Sequence, residues 1–265
     1  MSEPAVSIVM PCFEQARFVE EAVTSVLEQA GVDAELLVMD PGSADGSRDL
    51  VMKLVDRYGD RLVPCFQPDA GQSDAVNVGM ERARGRVLGW LNSDDRLRPG
   101  ALCAVVDELA DCDGPAWLYG TAGMIGPDGG AISSWVARYK DLRGRRFSRY
   151  KLLTENFIPQ MAVFWNRQMW EAAGPLDPEL HLDMDYDQWF RFARRAAPVV
   201  LRRSLADFRV HGDAKGSRQT NEQLDAALAT ARRYAGELGI RGKLALMMHR
   251  ACSARTRLLY RWLKP

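Results

Sequence analysis

The stretch best suited to chemistry is an apolar run ending in two adjacent carboxylates: Val87, Leu88, Trp90 and Leu91 lead into Asn92-Ser93-Asp94-Asp95. The run reads as a buried strand, and Arg96, Arg98, Pro99 and Gly100 read as the turn that follows. Adjacent like charges repel, so they persist at a strand end where water or a cation offsets them. Hard divalent cations take oxygen ligands, and Mg²⁺ often bridges one or two carboxylates to the phosphates of a substrate. The pattern therefore points to a nucleotide-diphosphate site, although Ser-Asp-Asp is also ordinary loop chemistry.

The surrounding periodicities supply the elements that must position these residues. Residues 6–10 (Val-Ser-Ile-Val-Met) predict a buried strand stopped by Pro11, and Phe18, Val19, Ala22, Val23, Val26 and Leu27 lie at helical spacing before Gly31. A second strand over Glu35–Met39 ends at Asp40, and the turn-rich Pro41–Ser47 leads to a helix from Asp49 to Tyr58. A strand over 62–66, a helix over 73–83 and a strand over 86–91 complete the alternation. Such alternation is the signature of an α/β unit with a mainly parallel sheet, which binds ligands beyond the carboxyl ends of its strands. Pro11–Glu14, Asp40–Ser43 and Asn92–Asp95 all fall at such ends. Their convergence is more specific than any one cluster.

Further along, the pattern predicts a helix over 101–109, strands over 116–119 and 122–125, and a turn at 126–130 leading to a hairpin partner over 131–136. An irregular basic region follows, then a strand over 161–165, helices over 168–173 and 187–196, and a strand over 199–210 ending at His211. From Asn221 the pattern is helical. The organisation is one domain over 1–215, with a nucleotide half about 1–100 and an acceptor half about 101–215, then a helical extension over 216–265.

With 265 residues, 47% hydrophobic and 26% charged, the chain has ample material for a core. Zero formal net charge removes any global attraction to nucleic acid. Cys12, Cys65, Cys103, Cys112 and Cys252 form no CxxC pair, as expected of reduced thiols in a cytoplasmic protein. No basic segment precedes the first apolar run as a secretory signal would require, and no stretch approaches the roughly 20 apolar residues that span a bilayer.

Taken in order, these motifs resemble the family 2 glycosyltransferases, whose GT-A fold is a Rossmann-like, mainly parallel sheet with helices on both faces. The likeness runs from about Val6 to His211. Val6–Pro11 followed by Phe13 is similar to the opening strand and nucleotide loop, and Val38–Ser47 to the second strand with the aspartate that contacts the base. Gly71–Gly79, Gly85 and Trp90–Asp95 resemble one bacterial branch of the family. Ile158-Pro159-Gln160, Gly174–Asp177, Met184–Arg191 and Arg209-Val210-His211 complete the pattern.

The resemblance implies a metal-dependent, inverting transfer of sugar from a nucleotide-diphosphate donor, UDP-sugar favoured, in polysaccharide or glycolipid assembly. It assigns nucleotide binding to Pro11, Phe13, Glu14, Asp40, Gly71, Asp74, Asn92 and Ser93, and Mn²⁺ or Mg²⁺ binding to Asp94 and His211. Asp185 aligns with the general base, which takes the acceptor hydroxyl proton as that oxygen attacks the anomeric carbon. Neighbouring Met184, Tyr186 and Trp189 are expected to desolvate it and raise its pKa. Three positions depart from the family pattern. Asn92 replaces a charged DxD residue, Glu14 stands where Asn is frequent, and Met184 replaces the glutamate that often precedes the base. Read singly, Asp40 could cap its own turn, Asp187 could be a helix N-cap, and His211 could be a surface turn residue.

Two basic segments stand outside these motifs. Arg138–Lys151 is expected as an acceptor-side loop, with Arg143, Arg145 and Arg146, joined by Gln160, attracting a glycan or lipid-linked acceptor. Residues 241–264 hold seven Lys or Arg, no acid, and an apolar set including Leu244, Met247, Leu258 and Trp262. That composition suits peripheral contact with the inner face of the plasma membrane, packing on the domain, or a homodimer contact. Rival functions are a nucleotidyltransferase, which would carry a Gly-rich basic loop after the first strand, and a catalytically inactive nucleotide-sugar-binding scaffold.

Overall fold

The computed structural model describes residues 3–212 and 220–263, with the side chains of Val136, Thr220 and residues 258–263 outside that description. The apolar runs at β1 (Val6–Pro11) and β2 (Ala34–Met39) are buried almost throughout because helices cover both faces of their sheet. β3 (Leu62–Cys65) and β4 (Val87–Trp90) lie parallel to them. β5 (Arg96–Leu97), β6 (Trp117–Ile125), β7 (Val163–Asn166) and β8 (Val199–Arg209) complete an eight-stranded sheet of order β3-β2-β1-β4-β7-β6-β8-β5. β7 is antiparallel to both neighbours, and β6 and β8 are parallel to each other. The fold is α/β, as the alternating pattern of the sequence predicts.

Register sets the site. Pro11 lies opposite Met39, and Val9 lies between Leu37 and Trp90, so the residues after β1, β2 and β4 emerge at one edge. Cys12 N–H donates to the Met39 carbonyl (2.8 Å) and Leu91 N–H to the Val9 carbonyl (3.1 Å), carrying that alignment past the strands.

Alternation in β1 divides the core. Val6, Ile8 and Met10 pack with α1 (Val19–Leu27), α2 (Ser47–Tyr58) and α4 (Ala101–Leu109), while Val9 faces α3 (Gln72–Arg82). Gly79 lets α3 approach closely, since a Cβ there would lie 2.4 Å from a Val9 methyl. The α3 side also carries α6 (Arg149–Thr154), α7 (Arg167–Ala173), α8 (Met184–Arg195), α9 (Thr220–Ala235) and α10 (Ile240–Leu263). Trp117 stacks on Trp189 (6.1 Å between ring centroids), and Phe190 stacks on Tyr234 (4.4 Å), fastening α8 to the sheet and to α9. Aromatic pairs of this kind add about 0.5–1.5 kcal/mol each beyond the area they bury.

The hairpin expected over 126–136 reduces to one bridge, Ile125 to Ala131, and the irregular basic region is helical. Ser134 caps α5 (Trp135–Gly144) by accepting from Ala137 N–H, and Ser148 caps α6 by accepting from Lys151 N–H. Serine N-caps were the local signal for both helices. α8 begins at Met184 rather than Asp187, so Asp183 takes the cap position. The turn expected after Asp95 contains β5, paired antiparallel with β8.

Candidate active site

At the β2 end, Asp40 is buried and its Oδ1 accepts from Gly42 N–H and Ser43 N–H (both 2.8 Å) and from Arg48 Nε (3.1 Å). It does cap its own turn. Its Oδ2 is buried with no hydrogen-bond partner among the described residues. One unsatisfied carboxylate oxygen at the crevice edge is an acceptor for an N–H from a ligand.

The β1 loop is tied to the β2 loop through Glu14. This residue has φ of 54°, the sole positive φ outside glycine among the described residues. The left-handed conformation costs a non-glycine residue about 1–2 kcal/mol. Two bonds hold it there: Glu14 N–H donates to Ser43 Oγ (2.9 Å), and Glu14 Oε1 accepts from Ala44 N–H (2.8 Å). The carboxylate is thus directed at the loop backbone. Pro11 ends β1, and Phe13 stands exposed at the mouth.

After β4, neighbouring carboxylates take different surroundings. Asp94 is partly exposed, and its Oδ2 lies 3.0 Å from His211 Nε2, the imidazole itself being nearly buried. Asp95 is buried, with Oδ1 accepting from Arg209 N–H (2.9 Å) and Oδ2 lacking a partner among the described residues. Burial, reinforced by the Asp94 charge, pushes the Asp95 carboxyl well up. Ser93 is buried beside them. Asn92 Oδ1 accepts from Gln72 Nε2 (2.8 Å) and Trp90 Nε1 (2.9 Å), so its carbonyl braces the loop.

Arg209 fastens that loop to the end of β8. Its guanidinium is buried and donates to the Asp94 carbonyl (2.7 Å), the Gly126 carbonyl (3.0 Å) and Glu21 Oε2 (2.5 Å). Phe18 braces both partners, with the Arg209 guanidinium 4.9 Å above its ring and His211 at 4.8 Å between centroids. Sequence reasoning placed Phe18 on the first helix and Arg209 in the motif with His211, but gave Arg209 no role of its own. The signal available was position: Arg209 sits two residues before His211 at the end of β8.

α3 links the two halves. Gly71 (φ 120°) precedes it, and Asp74 Oδ2 reaches back to accept from Ala70 N–H (2.9 Å). Gln72 holds Asn92, Ser73 Oγ donates to the Leu180 carbonyl (3.3 Å), and Asn77 exchanges two bonds with Leu176 (2.8 and 2.9 Å). Those last contacts fix the segment that enters α8 and delivers Asp185.

Asp185 lies in the first turn of α8, half-buried, accepting from Tyr186 N–H (2.7 Å) and Asn156 Nδ2 (3.1 Å). Burial pushes its carboxyl up to about 6, against the lowering effect of those two bonds and of the Lys140 charge. Asn156 and Lys140 are further residues the sequence did not single out. Gln160 stands four residues beyond Asn156 and donates to the Trp90 carbonyl (2.7 Å), while its Oε1 is buried with no partner among the described residues. One short segment thus touches both Asp185 and the strand that carries Asp94.

The three arginines expected at the acceptor do not form one cluster. Arg143 turns inward to Glu155 Oε1 (2.9 Å) and Thr154 Oγ1 (2.7 Å), supporting the same segment. Arg145 reaches Asp141 at the surface (3.3 Å), and Arg146 is exposed.

Among the described residues, no three His, Cys, Asp or Glu side chains form a metal cage. Asp94 and His211 can supply two ligands, and Mg²⁺-type ions complete their shell with water and substrate phosphates. The donor set fits an ion held partly by its substrate. The arrangement as a whole offers an N–H acceptor at β2, two candidate metal ligands at β4 and β8, and a carboxyl raised to about 6 at α8.

Comparison with known proteins gives concordant results. The family model described as "Glycosyl transferase family 2" matches residues 7–163, more than half of the chain. An uncharacterized glycosyltransferase of Nostoc sp. is 28% identical over 87% of this chain and 70% of its own length. The chondroitin synthase of Pasteurella multocida is 28% identical over 79% of this chain, which spans only 21% of that protein. Among solved structures, the mannosyltransferase PcManGT from Pyrobaculum calidifontis, in complex with GDP-Man and Mn²⁺, superposes with a TM-score of 0.67 at 17% identity, covering 97% of this chain and 76% of that one. S. aureus TarS residues 1–349 in complex with UDP-GlcNAc gives 0.58 at 12% identity, covering 85% and 66%.

Proposed function

The chain belongs to glycosyl transferase family 2, and from that premise we propose that it moves a sugar from a UDP-sugar to a glycan or lipid-linked acceptor, with inversion. The observation that carries the reading is Asp185: a carboxylate near 6, tied through Asn156 to the segment whose Gln160 bonds the Asp94-bearing strand. An acceptor hydroxyl beside Asp185 loses its proton to that carboxylate while its oxygen bonds to the anomeric carbon. The bond from that carbon to the diphosphate oxygen breaks on the opposite face, which inverts the centre.

Asp40 Oδ2 is one free acceptor, suited to the single ring N–H of uracil rather than the paired donors of guanine. Asp94 and His211 would hold Mn²⁺ or Mg²⁺, whose charge, when bound, offsets that of the departing diphosphate. The bound nucleotide sugars of TarS and PcManGT, and the Mn²⁺ of the latter, support this class of donor and cation. The described cysteines are all free thiols, which supports a reducing, cytoplasmic setting.

A thermal-shift panel of UDP, GDP, dTDP and CMP with Mn²⁺, Mg²⁺ or chelator tests the proposal. UDP at about 100 times its Kd should stabilise the fold by roughly 2.7 kcal/mol, with metal and not without it. Asp94→Ala should abolish the response. Stabilisation by another nucleotide alone reassigns the donor, and silence towards all four overturns the reading.

A further inference from the structure

α10 has two apolar faces, and only one is used by the fold. Its inner face is seated on the domain through Gly242, Ala245, His249 and Ser253, all buried. A Cβ at Gly242 would lie 1.9 Å from the Ala235 carbonyl oxygen, and His249 Nδ1 lies 2.9 Å from the Leu153 carbonyl. At about 100° per residue, the opposite side of the helix presents Ile240, Leu244 and Met247, with Met248 at its margin. These four are 78, 50, 65 and 46% exposed.

The adjoining helix repeats the pattern. Arg255 of α10 lies 5.5 Å above the Tyr139 ring of α5, and α5 carries Trp135 and Leu142 at 56 and 62% exposure. Six of the ten exposed large hydrophobic side chains of the described residues therefore belong to two neighbouring helices. Monomeric surfaces seldom concentrate apolar side chains in this way without a partner.

Charge identifies the partner. Arg241 borders the outer stripe of α10 on one side, Lys243 and Arg250 border it on the other, and residues 241–264 contain no acid. On α5, Arg138 is exposed alongside Trp135 and Leu142, and Arg145, paired with Asp141, is exposed just past its end. An isologous dimer across α10 would set Arg241, Lys243 and Arg250 of one copy against the same cations of the other. A surface of phosphate headgroups over acyl chains satisfies both the cations and the apolar stripe.

We propose that the outer faces of α10 and α5 form a docking surface for an anionic bilayer. The same two helices flank the Asp185 side of the site: Lys140 of α5 acts on Asp185, and Leu153, which meets His249, is followed by the Glu155–Gln160 segment. Docking therefore brings the acceptor side, not the donor loops, towards the lipid. The binding surface is independent of the proposed sugar transfer. Its extension to a lipid-linked acceptor rests on that reading.

Co-sedimentation of the full chain with vesicles of phosphatidylcholine, alone or mixed with phosphatidylglycerol, tests it. The protein should pellet with the mixed vesicles, stay in solution with phosphatidylcholine alone, and be released in 1 M salt, where the Debye length falls to about 3 Å. Leu244→Gln/Met247→Gln and Arg241→Gln/Lys243→Gln/Arg250→Gln should each lower partitioning about tenfold or more. Both alter exposed side chains only, so an unchanged thermal midpoint shows that the fold is intact. Wild-type protein that ignores anionic vesicles, or variants that pellet as well as wild type, overturn the proposal. So does a solution dimer that Leu244→Gln/Met247→Gln dissociates without any vesicle binding. Metal-dependent nucleotide stabilisation, read without vesicles, reports on sugar transfer separately.

Discussion

The loop after β2 and the start of α8 treat their carboxylates in opposite ways. Asp40 and Asp45 each gather several donors. Burial pushes Asp45 up, yet bonds from Ser47 and from the backbone N–H of Ala16 and Ser47 outweigh it and hold that carboxyl low. Asp185 receives two donors, and there burial wins, lifting it to about 6. Asp45 is exposed and meets several donors, whereas Asp185 sits deeper with two, so light burial plus donors holds one carboxyl low while deeper burial lifts the other. The loop after β2 thus holds a carboxylate kept charged, whereas the start of α8 keeps one that changes state near pH 6.

The sharpest way to break this contrast is to neutralise each carboxylate in turn. Asp185→Asn should lower kcat by about 10²–10⁴ while leaving nucleotide-induced stabilisation intact. Asp40→Asn should instead weaken nucleotide binding by about tenfold, the loss of roughly one hydrogen bond to a charged group. Similar nucleotide-binding losses in both variants would erase the distinction.

Next in size is Arg209, which stands on the donor side of the divide yet holds the β8 end. Arg209→Met should cost about 3 kcal/mol in urea unfolding, because losing the buried guanidinium leaves the Asp94 and Gly126 carbonyls and Glu21 Oε2 without its donation, Arg96 still holding Glu21 Oε1. It should also weaken metal-dependent nucleotide binding, since Asp94 and His211 lose their common anchor.

The pH dependence sharpens the comparison. The base acts as its carboxylate, so kcat/KM should rise with pH up to about 6 and level off above it. Stability runs the other way. A folded-state pKa raised above the unfolded value gives a contribution that is complete below about 3.9 and lost as pH rises through about 6. Asp185→Asn escapes that loss. Its thermal midpoint should exceed that of wild type at pH 7, and the gap should close towards pH 4.

The smallest effects concern the arginines. Arg143→Gln removes bonds to Glu155 and Thr154 and should cost about 1–2 kcal/mol. Arg145→Gln disturbs a surface i,i+4 pair and should fall within about 0.5 kcal/mol.

The parallel half of the molecule was legible because its strands are continuous apolar runs and its polar clusters follow each one directly. β1, β2 and β4 therefore placed Asp40 and Asp94 on one crevice by pattern alone. The region from 126 to 160 was not legible in this way. Ile132 and the Gly-rich turn at 126–130 look like half of a hairpin, yet Ser134 diverts the chain into α5. The side chains that surround Asp185 come from Lys140, Asn156 and Asp183, which are far apart in sequence and have no common period. Glu14 shows a third kind of opacity. A carboxylate in place of the frequent Asn would repel a diphosphate if it faced one, but φ of 54° and the bond to Ala44 N–H turn it towards its own loop. Backbone conformation decided that question, and residue type alone does not encode it.

α3 works as a ruler between the two chemistries. It meets Asn92 at Gln72 and Leu176 at Asn77, five residues or about 7.5 Å further along a rod whose length is set by its backbone hydrogen bonds. One inserted residue would advance the far mark by about 1.5 Å and swing it by about 100°, taking Asn77 off Leu176. The separation between the Asp94 loop and the start of α8 is thus set by helix geometry and not by the loops around it.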